Sequence, residues 1–264
     1  GPTLEDTLPD RERVLEALSA RYDRGIDRVD RFALTEFPAR IRGDQAENEF
    51  RVTVTAHEDE IVGVDPGRTG PAYGLAIDIG TTTLAIYLLD LSSGEVAAVS
   101  SDMNPQRSHG GDIISRVQHA TQGAANKKEL QSLILEGINE NVEAVTNEAG
   151  IEPEAIYEAI FVGNTAMHHL FLGIDAGPVA ASPYVPATRA SVHTTARDID
   201  LRMNPAGKVS WLPIIGGWVG PDFVADLLVA GVLDRDETAL VIDIGTNGEI
   251  AVSGPKQTYV ASAP

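Results

Sequence analysis

The spacing of hydrophobic positions changes along the chain, and each change marks an element. After Pro9-Asp10, Val14, Leu15, Leu18 and Tyr22 recur at helical spacing, with Asp10 placed to cap the helix. In "FRVTVTA" the alternation is strict. Phe50, Val52 and Val54 share one face, and Arg51, Thr53 and Thr55 share the other. "HEDE" is a polar turn, "IVGV" returns, and "DPGRTGPAYG" (65–74) reads as a linker. Residues 1–70 are thus expected to form a small α/β unit, a strand pair packed on a helix.

From residue 74 the pattern becomes strand, tight turn, strand through 75–90, then a third strand over 96–101. "GGDIISRVQHA" opens a helix with Ile113, Ile114 and Val117 on one face. Asn126 with Glu129 three residues on resembles a capping box. The helix behind it carries Leu130, Leu133, Ile134, Ile138, Val142 and Val145 in one stripe. "AIFVG" (159–163) reads as a buried strand, "NTAMHHLFLG" as a helix ending at Gly173, and 174–208 as loop. "VSWLPII" (209–215) reads as a strand and "GPDFVADLLVAGV" (220–232) as an apolar helix. Strand, turn and strand return in "ALVIDIGTNGEIAVSG" (239–254). Three meandering strands followed by alternating helices and strands predict an α/β layer on a mixed sheet. The front hairpin separates it from doubly wound nucleotide folds, which open strand-helix.

One stretch occurs twice. Ile77-Asp78-Ile79-Gly80-Thr81 returns as Ile242-Asp243-Ile244-Gly245-Thr246, each copy between two strand-like runs. Glycine allows a sharp bend and close backbone approach to a ligand. Successive N–H groups at such a bend form an anion nest, and Thr81, Thr82 and Thr83 add hydroxyls. In the second copy Asn247 and Gly248 stand where two threonines stood, and both tolerate positive φ. An aspartate repels phosphate directly, but it can hold a hydrated Mg²⁺ that phosphates share. Two carboxylates ~6 Å apart would repel by roughly 2.8 kcal/mol at an effective dielectric of about 20. A cation between Asp78 and Asp243 removes that cost. The plain alternative, a turn whose carboxylate accepts backbone N–H groups, fits either copy alone.

Composition narrows the classes. The net charge is −19 and the only lysines are Lys127, Lys128, Lys208 and Lys256, which disfavours nucleic acid as a partner. With no cysteine, the chain supplies no disulfide, thiolate nucleophile or cysteinyl cluster ligand. No apolar run approaches the ~18 residues of a membrane helix, so no membrane partner is expected. A cytoplasmic location fits these features. His168 and His169 are adjacent, diverge on a helix and are poor joint metal ligands. Asn164 and Thr165 either rim the cleft or cap a helix. Arg107, His109 and Asp112 either meet a partner or cap one.

With these residues in view, the chain resembles the actin-like ATPase superfamily, which includes sugar and acetate kinases and actin. "IDIGTTT" and "IDIGTNGEI" are similar to its two phosphate motifs. "LPIIGGWVGPDFVADLLVAG" resembles its connecting segment and crossing helix. "YGLAIDIGTTT", "NPQRSHGGDIISRV", "FVGNTAMHHLFLG" and "RMNPAGKVSWLPIIGGWVGPD" together resemble the reductive activators of corrinoid proteins, of RACo type, over about residues 70–264. Residues 1–70 more loosely resemble that family's middle domain.

The resemblance implies an actin-like, ribonuclease H-like lobe over 71–238, the opening of a second lobe over 239–264, and a small α/β middle domain over 1–70. It implies ATP and Mg²⁺ as ligands, with Asp78 and Asp243 bracketing the metal through water. Gly80, Thr81, Thr82 and Thr83 would cradle phosphate from one side, and Gly245, Thr246, Asn247 and Gly248 from the other. Asp222 would orient the attacking water; the alternative for it is a helix cap. The function implied is ATP-driven reduction of Co(II) to Co(I) on a corrinoid protein of a methyltransferase system, with homodimerisation left open. A [2Fe–2S] cluster is expected only in a ferredoxin domain preceding this chain. The chain itself reads as a fragment of the ATPase, expected to be inactive alone. A small-molecule kinase of the same fold and a non-enzymatic nucleotide-binding scaffold remain as alternatives.

Overall fold

A computed structural model describes residues 4–22, 25–42, 50–67, 69–245 and 248–263. The first unit holds helix α1 (Asp10–Ser19), strand β1 (Arg28–Val29), helix α2 (Arg31–Arg42) and the hairpin β2 (Val52–His57) and β3 (Glu60–Pro66). β3 lies centrally, antiparallel to β2 and parallel to β1. Val14, Ala33, Phe37, Ile41, Ile61 and Val64 close its core. Two details differ from the sequence reading. Asp10 is the first helical residue rather than the cap, and both its oxygens accept from Arg42 at 2.8 Å. α2 had no counterpart, since Pro38 inside it reads as a breaker.

The second unit is built on a six-stranded sheet. β4 (Tyr73–Ile79), β5 (Thr83–Asp90) and β6 (Val96–Met103) meander antiparallel. A 3₁₀ turn (Pro105–His109) and helices α3 (Ile113–Thr121) and α4 (Ala124–Ala149) lead to β7 (Ile156–Gly163). Helix α5 (Thr165–Phe171), the single turn α6 (Gly177–Ala180), β8 (Val192–Thr195) and β9 (Lys208–Trp211) follow. Strand order is β6-β5-β4-β7-β9-β8, with β4, β7 and β9 parallel. This is the mixed α/β layer that the order of elements predicts.

α4 shows why the sequence folds this way. Leu130, Ile134, Ile138, Val142 and Val145 are fully buried on one stripe, each contributing roughly 1.5–3 kcal/mol relative to exposure. The helix starts at Ala124 after Gly123, so Asn126 lies inside it and no capping box forms. Asp112 does cap α3, accepting from the Ser115 N–H at 2.8 Å. β8 lies within the stretch read as loop. β9 ends at Trp211, short of the expected 215, where Pro213 intervenes. Trp211 is buried and stacks on Phe161 with centroids 5.3 Å apart. His168 and His169 are both core residues. Burial, with His169 beside it, pushes His168 down to about 4.

Helix α7 (Pro221–Ala230) then leads to β10 (Ala239–Ile244), β11 (Gly248–Gly254) and β12 (Gln257–Ala263), an antiparallel meander in a separate sheet. Phe223 and Leu227 of α7 pack on Val241, Ala251 and Val260. The other side of this sheet carries Leu240, Ile242, Ile244, Ile250, Val252 and Tyr259, all exposed. The repeat therefore has two environments: Ile77 and Ile79 are buried, whereas Ile242 and Ile244 are 53% and 90% exposed. α3 and α4 cover the first sheet; among the described residues no helix layer covers the outer side of the second.

The first two units are joined by polar contacts. Arg197 donates to both oxygens of Asp30 at 2.8 and 2.9 Å, and Lys208 meets Glu60 at 2.6 Å. No helix among the described residues is long and apolar enough to cross a membrane.

Candidate functional site

The site begins at the bend between β4 and β5. Gly80 is required there, because a Cβ would meet the Thr83 carbonyl at 2.8 Å. The next carbonyls are tied back. The Asn104 side chain donates to Gly80 O at 2.8 Å, Arg116 Nη2 to Thr81 O at 2.5 Å, and the Asn104 N–H to Thr82 O at 2.9 Å. A trans peptide sets N–H opposite C=O. The N–H groups of Thr81, Thr82 and Thr83 are therefore turned away from Asn104 and Arg116, the disposition an anion nest requires. Thr81 is buried and its hydroxyl accepts from Asn164 Nδ2 at 3.1 Å, whereas Thr82 and Thr83 are exposed. Asn164 also caps α5 through the Met167 N–H at 3.0 Å. Asn164 is thus the helix cap of the two readings, and the same side chain supports the bend.

Close backbone packing sets α7 against this bend. A Cβ on Gly220 would lie 2.6 Å from Asn164 Cα and Gly163 O, and one on Gly163 would lie 2.7 Å from Ile79 O. The N-terminus of α7 is thereby pressed onto the C-terminal end of β7, beside β4. Asp222 is not the N-cap, which is Gly220; it accepts from the next N–H, that of Phe223, at 2.8 Å.

Carboxylates from four elements, β4, α7, β10 and β11, act on one another here. Asp78 on β4 feels the charges of Asp226 and Asp243; Asp222 feels Asp78, Glu249 and Asp226. Burial, reinforced by these neighbours, raises Asp78 to about 6 and Asp222 to about 7. Burial and then Asp243 raise Asp226 and Glu249 as well. Asp78 and Asp226 nonetheless remain open to water, and Asp222, Asp243 and Glu249 are partly so. Among the described residues, each charge acting on these four groups is another carboxylate. An all-oxygen donor set of this kind suits a hard, hydrated cation such as Mg²⁺ and not a soft metal.

Asp78 of the first repeat thus feels the charge of Asp243 of the second, and Asp222 on α7 feels Asp78. Gly245 is exposed at the second bend and Gly248 opens β11. Thr246 and Asn247 lie outside the described residues. Three participants escaped the sequence reading. Asp226 follows Asp222 by one helical turn, and Glu249 is the register partner of Asp243, so both carried a signal in spacing. Arg116 reaches Thr81 from α3 and carried none. A separate cavity of about 950 Å³, lined in part by Arg40, Asp65 and Tyr157, lies between the first two units and holds none of these carboxylates.

Comparison with known proteins bears on this geometry. The family model described as the RACo linker region matches residues 1–70, and that described as the RACo middle region matches 73–235. The segment read from the sequence as a middle domain is thus matched as linker, and the first lobe as middle region. A corrinoid activation enzyme, RamQ of Eubacterium limosum, is 38% identical over 192 residues, 73% of this chain and 32% of that protein. The solved structure of a reductive activator for corrinoid, iron-sulfur protein is 32% identical, with a TM-score of 0.85 over 99% of this chain and 42% of that one. The chain thus spans less than half the length of either relative. On the family match over both of its first two units, the chain belongs to the RACo-type activators of corrinoid proteins, of which it carries the linker and middle regions.

Proposed function

We propose that this chain is the linker and nucleotide-cleft portion of an ATP-dependent activator that returns a corrinoid protein from Co(II) to Co(I). The observation that carries the reading is the electrostatic coupling of Asp78 to Asp243 and Asp226 across two hairpins and α7. Mg²⁺ bound to the phosphates of ATP would supply the positive charge that this cleft lacks. Asp78 and Asp243 would hold its water shell from either side. The bend at Gly80, Thr81 and Thr82, with Thr83, would receive phosphate oxygens on backbone N–H groups and exposed hydroxyls. Gly245, Thr246, Asn247 and Gly248 would face them. Asp222, raised to about 7, is suited to accept a proton from an attacking water near neutral pH.

The redox step adds one electron to cobalt, and ATP hydrolysis to ADP and phosphate supplies the driving force. This chain has no cysteine, so the electron would come from a cluster held elsewhere in the protein that contains it, and the partner would be a corrinoid protein of a methyltransferase system. A homodimer and a cytoplasmic location are consistent with this scheme.

The test uses the whole activator with its corrinoid partner. Asp78→Asn and Asp243→Asn are expected to abolish Mg·ATP binding by calorimetry and the Co(I) absorbance together. Full binding and activation in both variants would overturn the reading. Appearance of a phosphorylated sugar or acid would redirect it to a kinase.

A further inference from the structure

We propose that His109, His119 and Glu129 form a binding site for a divalent transition metal of the zinc class, separate from the carboxylate cleft. The three residues come from three elements: the end of the 3₁₀ turn, α3 and α4. Their ligand atoms all lie within 4.8 Å of one another. His119 Nε2 lies 3.1 Å from one Glu129 oxygen, and His109 Nε2 lies 3.6 Å from the other. Ligands held ~2.1 Å from a tetrahedral ion stand about 3.4 Å apart. The two observed separations, one to each Glu129 oxygen, lie near that value, and the exposed carboxylate can turn to close the set on one ion.

The surroundings support the assignment. The imidazole rings tilt by 33° with centroids 4.4 Å apart, both turned to one carboxylate. His109 and His119 side chains are 24% and 22% exposed and Glu129 49%, so the ligands are held by packing while the ion has a path from solvent. Gly110 makes the approach feasible, since a Cβ there would lie 2.6 Å from Ser115 Cβ. Two imidazoles with one carboxylate favour zinc, nickel or copper over magnesium, the reverse of the all-oxygen cleft. Three protein ligands leave one tetrahedral position for water. A bound ion would fasten the turn and α3 to α4. α3 also carries Arg116, whose Nε donates to Gly110 O at 2.9 Å and whose Nη2 holds Thr81. The metal would therefore brace the wall behind the first phosphate bend.

The test is a zinc titration of the untagged chain by calorimetry, with Co(II) absorbance reporting coordination. One equivalent is expected to bind at micromolar concentration or tighter, with the intense visible bands of four-coordinate Co(II), and to raise the thermal midpoint. His119→Gln keeps a hydrogen bond to Glu129 and removes the ligand; it should retain the metal-free midpoint and weaken zinc at least tenfold. Glu129→Gln should do likewise, whereas Asp78→Asn should leave the zinc titration unchanged. Absence of saturable binding would overturn the proposal. So would binding that the His119 and Glu129 substitutions leave intact, or that Asp78→Asn removes.

Discussion

Arg116 is fully buried and donates a 2.5 Å hydrogen bond to the carbonyl oxygen of Thr81, with no carboxylate in ion-pair contact among the described residues. Burial, with Arg107 nearby, lowers it to about 10, so it stays charged at neutral pH. Its guanidinium also reaches Gly110 O and the Met167 sulfur. Arg116→Lys keeps the charge but cannot span these partners. We expect that variant to fold with a loss of about 2–4 kcal/mol in denaturant unfolding, and to bind nucleotide more weakly than its stability loss alone would predict.

Asp222 yields a pH prediction. Its folded value, about 7, lies above the ordinary 3.8. The folded state therefore holds this proton more tightly than the unfolded chain does, and the group costs stability increasingly as pH rises from about 4 to 7. Asp222→Asn should stabilise by on the order of 1–3 kcal/mol at pH 8, after allowance for the open cleft. The gain should vanish near pH 4. Thermal unfolding of both proteins across this range checks the sign, and Mg²⁺ should narrow the difference at pH 8.

His168 acts in the opposite direction. Buried at about 4 against an ordinary 6.5, it contributes stability above pH 6.5 that is lost as pH falls toward 4, because the unfolded chain takes up the proton first. Its Nε2 has no hydrogen-bond partner among the described residues. His168→Leu should flatten the acid limb of the stability profile and leave stability at pH 8 within about 1.5 kcal/mol.

Gly220→Ala tests how α7 is seated. The added methyl would collide with the backbone of Gly163, Asn164 and Thr165 at 2.6–2.7 Å. A cost of roughly 1–3 kcal/mol is expected, together with a fall in the acidity shift of Asp222, read by ¹³C NMR titration of its carboxyl. An unchanged titration would mean that α7 is not held by this contact.

Much of this was legible from spacing. The stripe on α4, the alternation in β2 and the doubled Ile-Asp-Ile-Gly-Thr each follow a period that burial imposes. Asp78 and Asp243 stood out because a carboxylate interrupts an otherwise apolar strand. What stayed hidden depends on neighbours distant in sequence. The bond from Arg116 to Thr81 has no period. His109, His119 and Glu129 lie too far apart to form a local ligand motif. α2 was obscured by Pro38. The assumed capping box at Asn126 failed because Gly123 begins the helix earlier, leaving Glu129 free to face two histidines.

The uncovered flank of β10–β12 governs how the molecule behaves in a tube. Leu240, Ile242, Ile244, Ile250, Val252 and Tyr259 make a hydrocarbon strip bordered by open strand edges, while a formal charge of −19 keeps neighbouring copies apart. Added salt, sulfate above all, weakens the repulsion and strengthens the adhesion. Light scattering should therefore climb with ionic strength, and clear solutions of the isolated chain should be those kept dilute in electrolyte.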